Sequence, residues 1–476
     1  MATTTSTQTE RSSQVRIHLK SRTPDIELPQ DTGPILVSTD LKRFQLSTLV
    51  NRLLDTEKPV PLEFLINGQF LRTSLDQFLT ANGISAETTL TVEYVKALVP
   101  PLYVSSYEHD DWVSSVDVLS SSSKAAEWAA TGYANATPRI LSGSYDGLLR
   151  VWNMSSEVVA TGTGHNAAIK SARFISPTQV VSSSVDRTIC LWKYDDSSES
   201  KNGQASLTPS LELYGHKASV DHIAVHAPTS RLLSASADHT IGIWSTKKNE
   251  APAAPETLLP DTSTSNKRRK LSSSTASTKQ ASQRGPLRLL HGHQSQVSSV
   301  CFDAHDPTVA YSTSWDHSQK TWDLPTGTCV DTRTTAQSLL SLCTLPSMSL
   351  LAAGTSARHI TLIDPRASAA TISAMTLRGH TNAVIALTQN PTNTHQLVSG
   401  SHDGTCRVWD LRSVRSEAGS ERVADSVYII DRESAKGKKP SPAHEGIKVF
   451  DVCWDEEVGV VSAGEDKKVQ INKASS

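Results

Sequence analysis

Cysteine is scarce: six in 476 residues, scattered as Cys190, Cys301, Cys329, Cys343, Cys406 and Cys453, with no C-x-x-C pair. That spacing argues against a zinc site and against a disulfide framework. It fits a reducing intracellular compartment. Charge of one sign is also missing. The formal net charge is −2, so the chain has no global polyanion-binding signature. No apolar run is long enough to span a membrane, and residues 1–13 are Thr, Ser, Gln and charge rather than a secretory leader. With no metal cluster and no phosphate-binding loop, no cofactor is implied. Aromatic residues make up only 5% of the chain, yet five of the nine tryptophans stand at one recurring position.

That position belongs to a repeat. The clearest copy runs over residues 379–410, from Gly379-His380 through Ser399 and Asp403 to Trp409-Asp410. Ser399 lies four residues before Asp403 and Trp409 six after it. The same register recurs as Ser142, Asp146 and Trp152; Ser182, Asp186 and Trp192; Ser234, Asp238 and Trp244; and Ser312, Asp316 and Trp322. Self-similarity at this period marks a repeat architecture. The copies resemble WD repeats, which build β-propeller blades. His, Ser, Asp and Trp can form one hydrogen-bonded chain inside a blade, satisfying the polar groups of a buried turn. A Ser-His-Asp catalytic triad uses the same residue types. Repetition argues against it, because an active site is needed once and a scaffold device in every blade.

Seven blades are expected. A degenerate fifth lies between His293 and His380, with Ala353, Ala357 and Ile363 where Ser, Asp and Trp would stand. The seventh has His444, Ser462 and Asp466, with Asn472 in place of Trp. The chain ends before a fourth strand for that blade. The segment from Leu102 to Ser106 can supply it, closing the ring with strands from both ends and leaving no open edge at the seam.

Before the propeller, residues 14–97 read as a small α+β domain behind a disordered tail of residues 1–13. Val15, Ile17 and Leu19 alternate with polar residues as in a half-buried strand. Ile35-Leu36-Val37 is a second strand. Leu46, Leu49, Val50, Leu53 and Leu54 follow helical spacing with Ser47 as the cap. A third strand, Leu62 to Ile66, turns at Asn67-Gly68. A short helix over Ser74 to Thr80 and a last strand through Leu90, Val92 and Tyr94 follow. This order is the ubiquitin-like plan. The strand runs on through Lys96 to Pro100-Pro101, with no free Gly-Gly end, so a docking module fits better than a conjugated modifier. The expected fold is therefore mainly β: a seven-bladed WD40 β-propeller over residues 98–476, preceded by the ubiquitin-like domain.

Insertions and loops place the candidate sites. Those after first and third strands fall on one face, called the bottom; that of blade one spans residues 120–138. The longest, residues 245–286, is rich in Ser, Thr, Ala and Pro, reads as disordered, and carries Lys267, Arg268, Arg269 and Lys270, a basic run suited to nuclear import. The segment 432–443, after a fourth strand, puts Lys436, Lys438 and Lys439 on the top. Two top positions per blade suit partner binding: three residues after the opening His, and just before the turn Asp. They select Trp112, Tyr145, Trp315, His402, Ile447 and Glu465, the large aromatics being favoured interface anchors. In the small domain, Glu87 sits in the loop before the last strand. It is a solvated carboxylate or a ligand offered to a metal held by a partner.

An N-terminal ubiquitin-like domain joined to seven WD repeats resembles two families of ribosome-assembly factors, the Notchless family and the WD-repeat subunit of the PeBoW complex. Pro61-Leu62-Glu63-Phe64-Leu65-Ile66, Leu71-Arg72-Thr73-Ser74-Leu75, His109-Asp110-Asp111-Trp112-Val113-Ser114-Ser115 and the 267–270 run favour the second. Ser356-Ala357-Arg358-His359-Ile360-Thr361-Leu362 and the ending from Asp466 to Lys473 look like its fungal branch. The resemblance implies a non-enzymatic scaffold for the large (60S) ribosomal subunit in the nucleolus and nucleoplasm. Its propeller would bind the block-of-proliferation protein, itself bound to pescadillo. Its ubiquitin-like domain would be gripped by the AAA ATPase midasin, with Glu87 as a ligand to the partner's metal, and the complex then released from pre-60S particles. The alternative is a WD-repeat substrate receptor of a ubiquitin ligase, which would need an adaptor-docking element that is not apparent.

Overall fold

A computed structural model describes residues 13–28, 32–55, 58–129, 137–196, 205–259, 281–367, 374–416, 422–436 and 447–474. The run of Lys267, Arg268, Arg269 and Lys270, the tail before Ser13, Lys438, Lys439 and His444 lie outside them. The chain divides into two compact units, residues 1–99 with 411–420, and residues 100–410 with 421–476. Among the described residues, no helix is long and apolar enough to cross a membrane. All six cysteines are free.

The first unit holds a five-stranded sheet in the order Ile35–Ser38, Gln14–Ser21, Leu90–Lys96, Leu62–Ile66, Gln69–Phe70. The outer hairpins are antiparallel, and the central pair, Gln14–Ser21 with Leu90–Lys96, is parallel. This is the ubiquitin-like order. Val15, Ile17, Phe64, Ile66 and Val92 are fully buried against Leu46 and Val50, one turn apart on the helix. Asn67 and Gly68 both have positive φ, which gives the tight turn after the third strand. The helix departs from the sequence reading. It spans Arg43–Leu54, so Ser47 lies in its second turn and is not the cap. Gln45 instead reaches back to accept from the Lys42 N–H at 2.9 Å, satisfying a backbone group that the helix leaves open. The second helix, Leu75–Ala81, is capped by Ser74.

The second unit is a propeller of seven blades, with the seventh sheet completed by Pro101–Glu108 against Lys468–Ala474. The closing strand is longer than the sequence suggested. A second clasp lies inside the channel. Arg173 of blade two donates to Asp451 of blade seven at 2.8 Å and to the Val116 carbonyl of blade one at 2.8 Å. Strand and guanidinium together hold the seam.

Two outer edges are covered, one by an extra strand and one by the start of blade six's own fourth strand. Ser282–Arg284 pairs in parallel with the fourth strand of blade two, and residues 423–425 pair in parallel with 376–378, joining blades five and six in one sheet. The first pairing corrects the view of residues 245–286 as wholly disordered. Both ends of that insertion are ordered, with a short helix at Glu256–Leu258 and an Ala253–Arg284 bridge. An open sheet edge offers unpaired N–H and C=O groups, and a short segment of the right length satisfies them.

The insertion of blade one crosses the bottom of the channel. Its helix Lys124–Glu127 buries Ala125 and Ala126, and Trp128 packs on His226 of blade three at 5.7 Å. At the other side Ser120 donates to Asp455 of blade seven at 2.5 Å.

Candidate functional site

The top face is built by the repeated network. In blades two, three, four and six the turn Asp accepts from the His Nδ1–H at 2.8–3.0 Å, and the His Nε2 meets the Ser hydroxyl at 2.7–2.8 Å. The Trp Nε1–H donates to the same hydroxyl at 2.8 Å. Serine is therefore the hub that meets both the imidazole and the indole. Each hub is fully buried, out of reach of a substrate. Burial alone would push the turn carboxyls up. The His hydrogen bond and neighbouring donors overcome it and hold Asp186, Asp238 and Asp403 well below the usual carboxylate range, and the Ser318 hydroxyl, the Gln294 N–H and then His293 hold Asp316 at about 2.

Blade one breaks the pattern. His109 meets Ser142 at 2.8 Å, but its Nδ1 is buried without a partner, and Asp146 pairs with Arg150 instead. Burial, helped by the Arg150 charge, holds His109 down at about 4. An imidazole in the unfolded chain titrates near 6.5. Acidification from pH 6.5 to 4 thus protonates the unfolded chain first and removes up to about 3 kcal/mol of stability. Urea unfolding of His109→Gln should show a flatter pH dependence across that window than the parent. Parallel curves would refute the assignment.

Blade seven breaks it differently. The sequence reading gave its histidine as His444, outside the described residues. The structure shows Arg432 at the network instead, with Nη1 on Ser462 Oγ at 2.7 Å and Nε on Asp466 Oδ2 at 3.1 Å. Blade five has no such network; Ala353 and Ile363 fill it with apolar volume.

One backbone hydrogen bond per blade ties the two partner-facing positions together. It runs from Tyr145 to Trp112, Trp315 to Gln296 and His402 to Ala383, each N–H to carbonyl at 2.8–3.0 Å. In blade seven Glu465 donates to Lys448, not Ile447, so Lys448 takes the position that counting from His444 had given to Ile447.

Three of the selected side chains meet around a residue the sequence reading missed. Phe450 lies 6.0 Å from Trp112, 6.0 Å from Tyr145 and 6.1 Å from His402, ring centre to ring centre. Trp112 meets Tyr145 edge-on at 5.5 Å. Lys170 caps the group, donating to the Tyr145 hydroxyl at 3.1 Å with its amine 5.0 Å from that ring. Phe450 follows the first residue of its inner strand, as Ser114, Lys170, Asp221, Ser298, Leu340 and Ile385 do in theirs. Aligning inner strands would have found it. The result is an aromatic plate over blades one, six and seven at the channel mouth. Trp112 is 38% exposed within it, and Glu465 stands beside Lys448 at 4.0 Å. Trp315, on blade four, has no ring partner among the described residues and is 50% exposed.

In the small domain Glu87 is exposed in a turn. Its N–H donates to Ser85 Oγ at 3.3 Å, and the Thr88 hydroxyl closes the turn on the Ser85 carbonyl at 2.8 Å. No described cation pairs with its carboxylate.

Comparison with known proteins places these parts. Residues 15–79 match the NLE (NUC135) domain. Residues 102–153, 156–193, 207–245, 284–323 and 372–410 match the WD domain, G-beta repeat. The five matched repeats are blades one to four and six, those with the Ser-Asp-Trp register. A ribosome biogenesis protein ytm1 of Aspergillus terreus is 61% identical over 470 residues, covering 97% of this chain and 96% of the relative. That of Ajellomyces capsulatus is 60% identical over 479 residues, 99% and 95% of the two chains, and that of Neosartorya fischeri 59% over 482, 99% and 97%. With identity at this level along nearly the whole length, through both the NLE domain and the propeller, the chain belongs to the ytm1 family of ribosome biogenesis proteins.

Proposed function

We propose that the chain is a non-enzymatic scaffold of the large-subunit precursor, required for pre-rRNA maturation in the nucleolus and nucleoplasm. Its two units take different partners. The propeller docks the block-of-proliferation protein, and through it pescadillo, at the aromatic plate. The ubiquitin-like domain offers Glu87 to the metal of midasin, which pulls the complex from pre-60S particles. The observation that carries the docking reading is the plate itself. Trp112, Tyr145, Phe450 and His402 pool aromatic area from three blades at the open mouth, and pooled, part-exposed aromatics of this kind form the centres of protein interfaces. The basic run of Lys267, Arg268, Arg269 and Lys270 serves import in this reading.

Trp112→Ala tests it. Truncating a central anchor costs about 2 kcal/mol, roughly a 30-fold loss of affinity. Purification of the variant should recover little block-of-proliferation protein or pescadillo, with the melting temperature close to the parent's. Undiminished recovery would place the interface elsewhere.

A further inference from the structure

The formal charge of −2 hides a separation of charge around the top rim. The residue after the turn position is left-handed in all seven blades. It is Gly147 and Gly404 in blades one and six, and Arg187, His239, His317, Arg358 and Lys467 in the other five, with φ between 62° and 75°. Lys467 is tied to the Asp110 carbonyl at 2.9 Å. The other four side chains, and that of Lys217 beside them in blade three, are exposed and make no ion pair or hydrogen bond among the described residues. They lie on four consecutive blades, two to five. The top loops there, residues 163–168, 185–187, 215–219, 237–239, 292–296, 315–317, 335–338 and 356–358, hold only three carboxylates. These are Asp186, Asp238 and Asp316, each bonded to its blade histidine. Asp221, one residue into the inner strand of blade three, is engaged by Ser219 at 2.8 Å and Gln296 at 2.7 Å, and no carboxylate within the loops themselves is left to neutralise the rim.

An indole stands in the middle of this arc. Trp315 precedes Asp316 and His317, is 50% exposed, and packs on no other ring among the described residues, whereas Trp112 is already stacked into the aromatic plate. Cations spread along a path with one free aromatic face are what an unpaired nucleic acid strand uses. Phosphates take the charges and a splayed base takes the face. An acidic peptide would use the cations but has no need of the indole.

We propose that the top rim of blades two to five binds single-stranded RNA, with Trp315 stacking a base and Arg187, Lys217 and Arg358 holding flanking phosphates. This gives Trp315 a role separate from the protein interface and leaves the plate on blades one, six and seven to the protein partner. His239 and His317 flank the path as further donors.

Fluorescence anisotropy of the full chain with a labelled 20-nucleotide single-stranded RNA, read over a salt series, tests the proposal. Arg187→Ala, Lys217→Ala and Arg358→Ala combined should weaken binding about tenfold or more, and should lower the log–log salt slope by about 2, since each phosphate contact on a single strand contributes roughly 0.7. Trp315→Ala should weaken binding about tenfold and leave the salt slope unchanged, because stacking releases no counterion. Arg187→Lys with Arg358→Lys should keep the slope. All variants should melt with the parent. If the triple variant binds RNA as the parent does, the contacts lie elsewhere, with the 267–270 run the first alternative, and the proposal fails. It fails equally if polyglutamate displaces the RNA at matching charge concentration and Trp315→Ala has no effect, which would make the rim a site for acidic protein.

Discussion

Arg432→Ala should destabilise the propeller by about 3–5 kcal/mol, the range for removing one partner of a buried ion pair. Arg432 is 1% exposed. Its Nη1 donates to Ser462 Oγ at 2.7 Å and to the Ser462 carbonyl at 3.0 Å. Its Nη2 donates to the Lys468 carbonyl at 2.7 Å and to Asp466 Oδ1, and Nε takes Asp466 Oδ2 at 3.1 Å. A guanidinium has five N–H groups, and all five are used. Alanine would strand the Asp466 carboxylate, only 5% exposed, with the Ser434 hydroxyl at 2.5 Å as its remaining side-chain donor. It would also open the hub of the blade that closes the ring. Arg432→Lys keeps the charge with three donors and should recover part of the loss. The readout is the urea midpoint, together with amide exchange in Lys468–Ala474 and Pro101–Glu108, where the seam should open first. A midpoint within measurement error of the parent would show that the ion pair is dispensable.

The same residue shows where sequence reading stops. The Ser-Asp-Trp register was legible because three spaced residues report one hydrogen-bonded chain, and that chain fixes the position of each blade's second and third strands. From it followed seven blades, the strand lent by Leu102 to Ser106, and the top-face positions. Arg432 was not legible. A guanidinium reproduces what the imidazole does, but from a segment that has no Gly-His signature, so counting pointed to His444. The shift carried through to Ile447 in place of Lys448. Phe450 was missed for another reason. Its importance comes from three blades meeting at the mouth, and no spacing within one repeat encodes that meeting. Ser47 was placed as a helix cap because a hydroxyl before apolar spacing is a good cap. The helix begins a turn earlier on the strength of Gln45, whose side chain serves the Lys42 N–H. Trp112 and Trp315 looked alike in sequence. Only their surroundings, a stacked plate and an open rim, separate them.

Glu87→Ala should leave both units folded and the propeller's partners bound, yet trap the protein on pre-60S particles. Folding is spared because the Glu87 side chain is exposed and the turn is held by Ser85 and Thr88, through the Thr88 hydroxyl at 2.8 Å and the Glu87 N–H at 3.3 Å. In the proposed reading the partner contact should be lost, because a divalent cation that takes oxygen ligands would need the carboxylate itself. Truncating one member of a desolvated charge pair costs about 2 kcal/mol or more, roughly a 30-fold weaker grip. Glu87→Gln keeps the shape and should fail nearly as badly, because a neutral amide oxygen is a poorer ligand. Glu87→Asp keeps the charge but shortens the reach, and should fall between. Gradient sedimentation of cell extracts provides the measurement. The alanine and glutamine variants should shift from the free fractions to the pre-60S peak, with block-of-proliferation protein and pescadillo moving with them and the large-subunit yield falling. A glutamine variant released as readily as the parent would mean that the turn is recognised by shape and that no metal is involved. Normal release of the alanine variant would remove Glu87 from the interface altogether, while leaving untouched the family membership that rests on the whole chain.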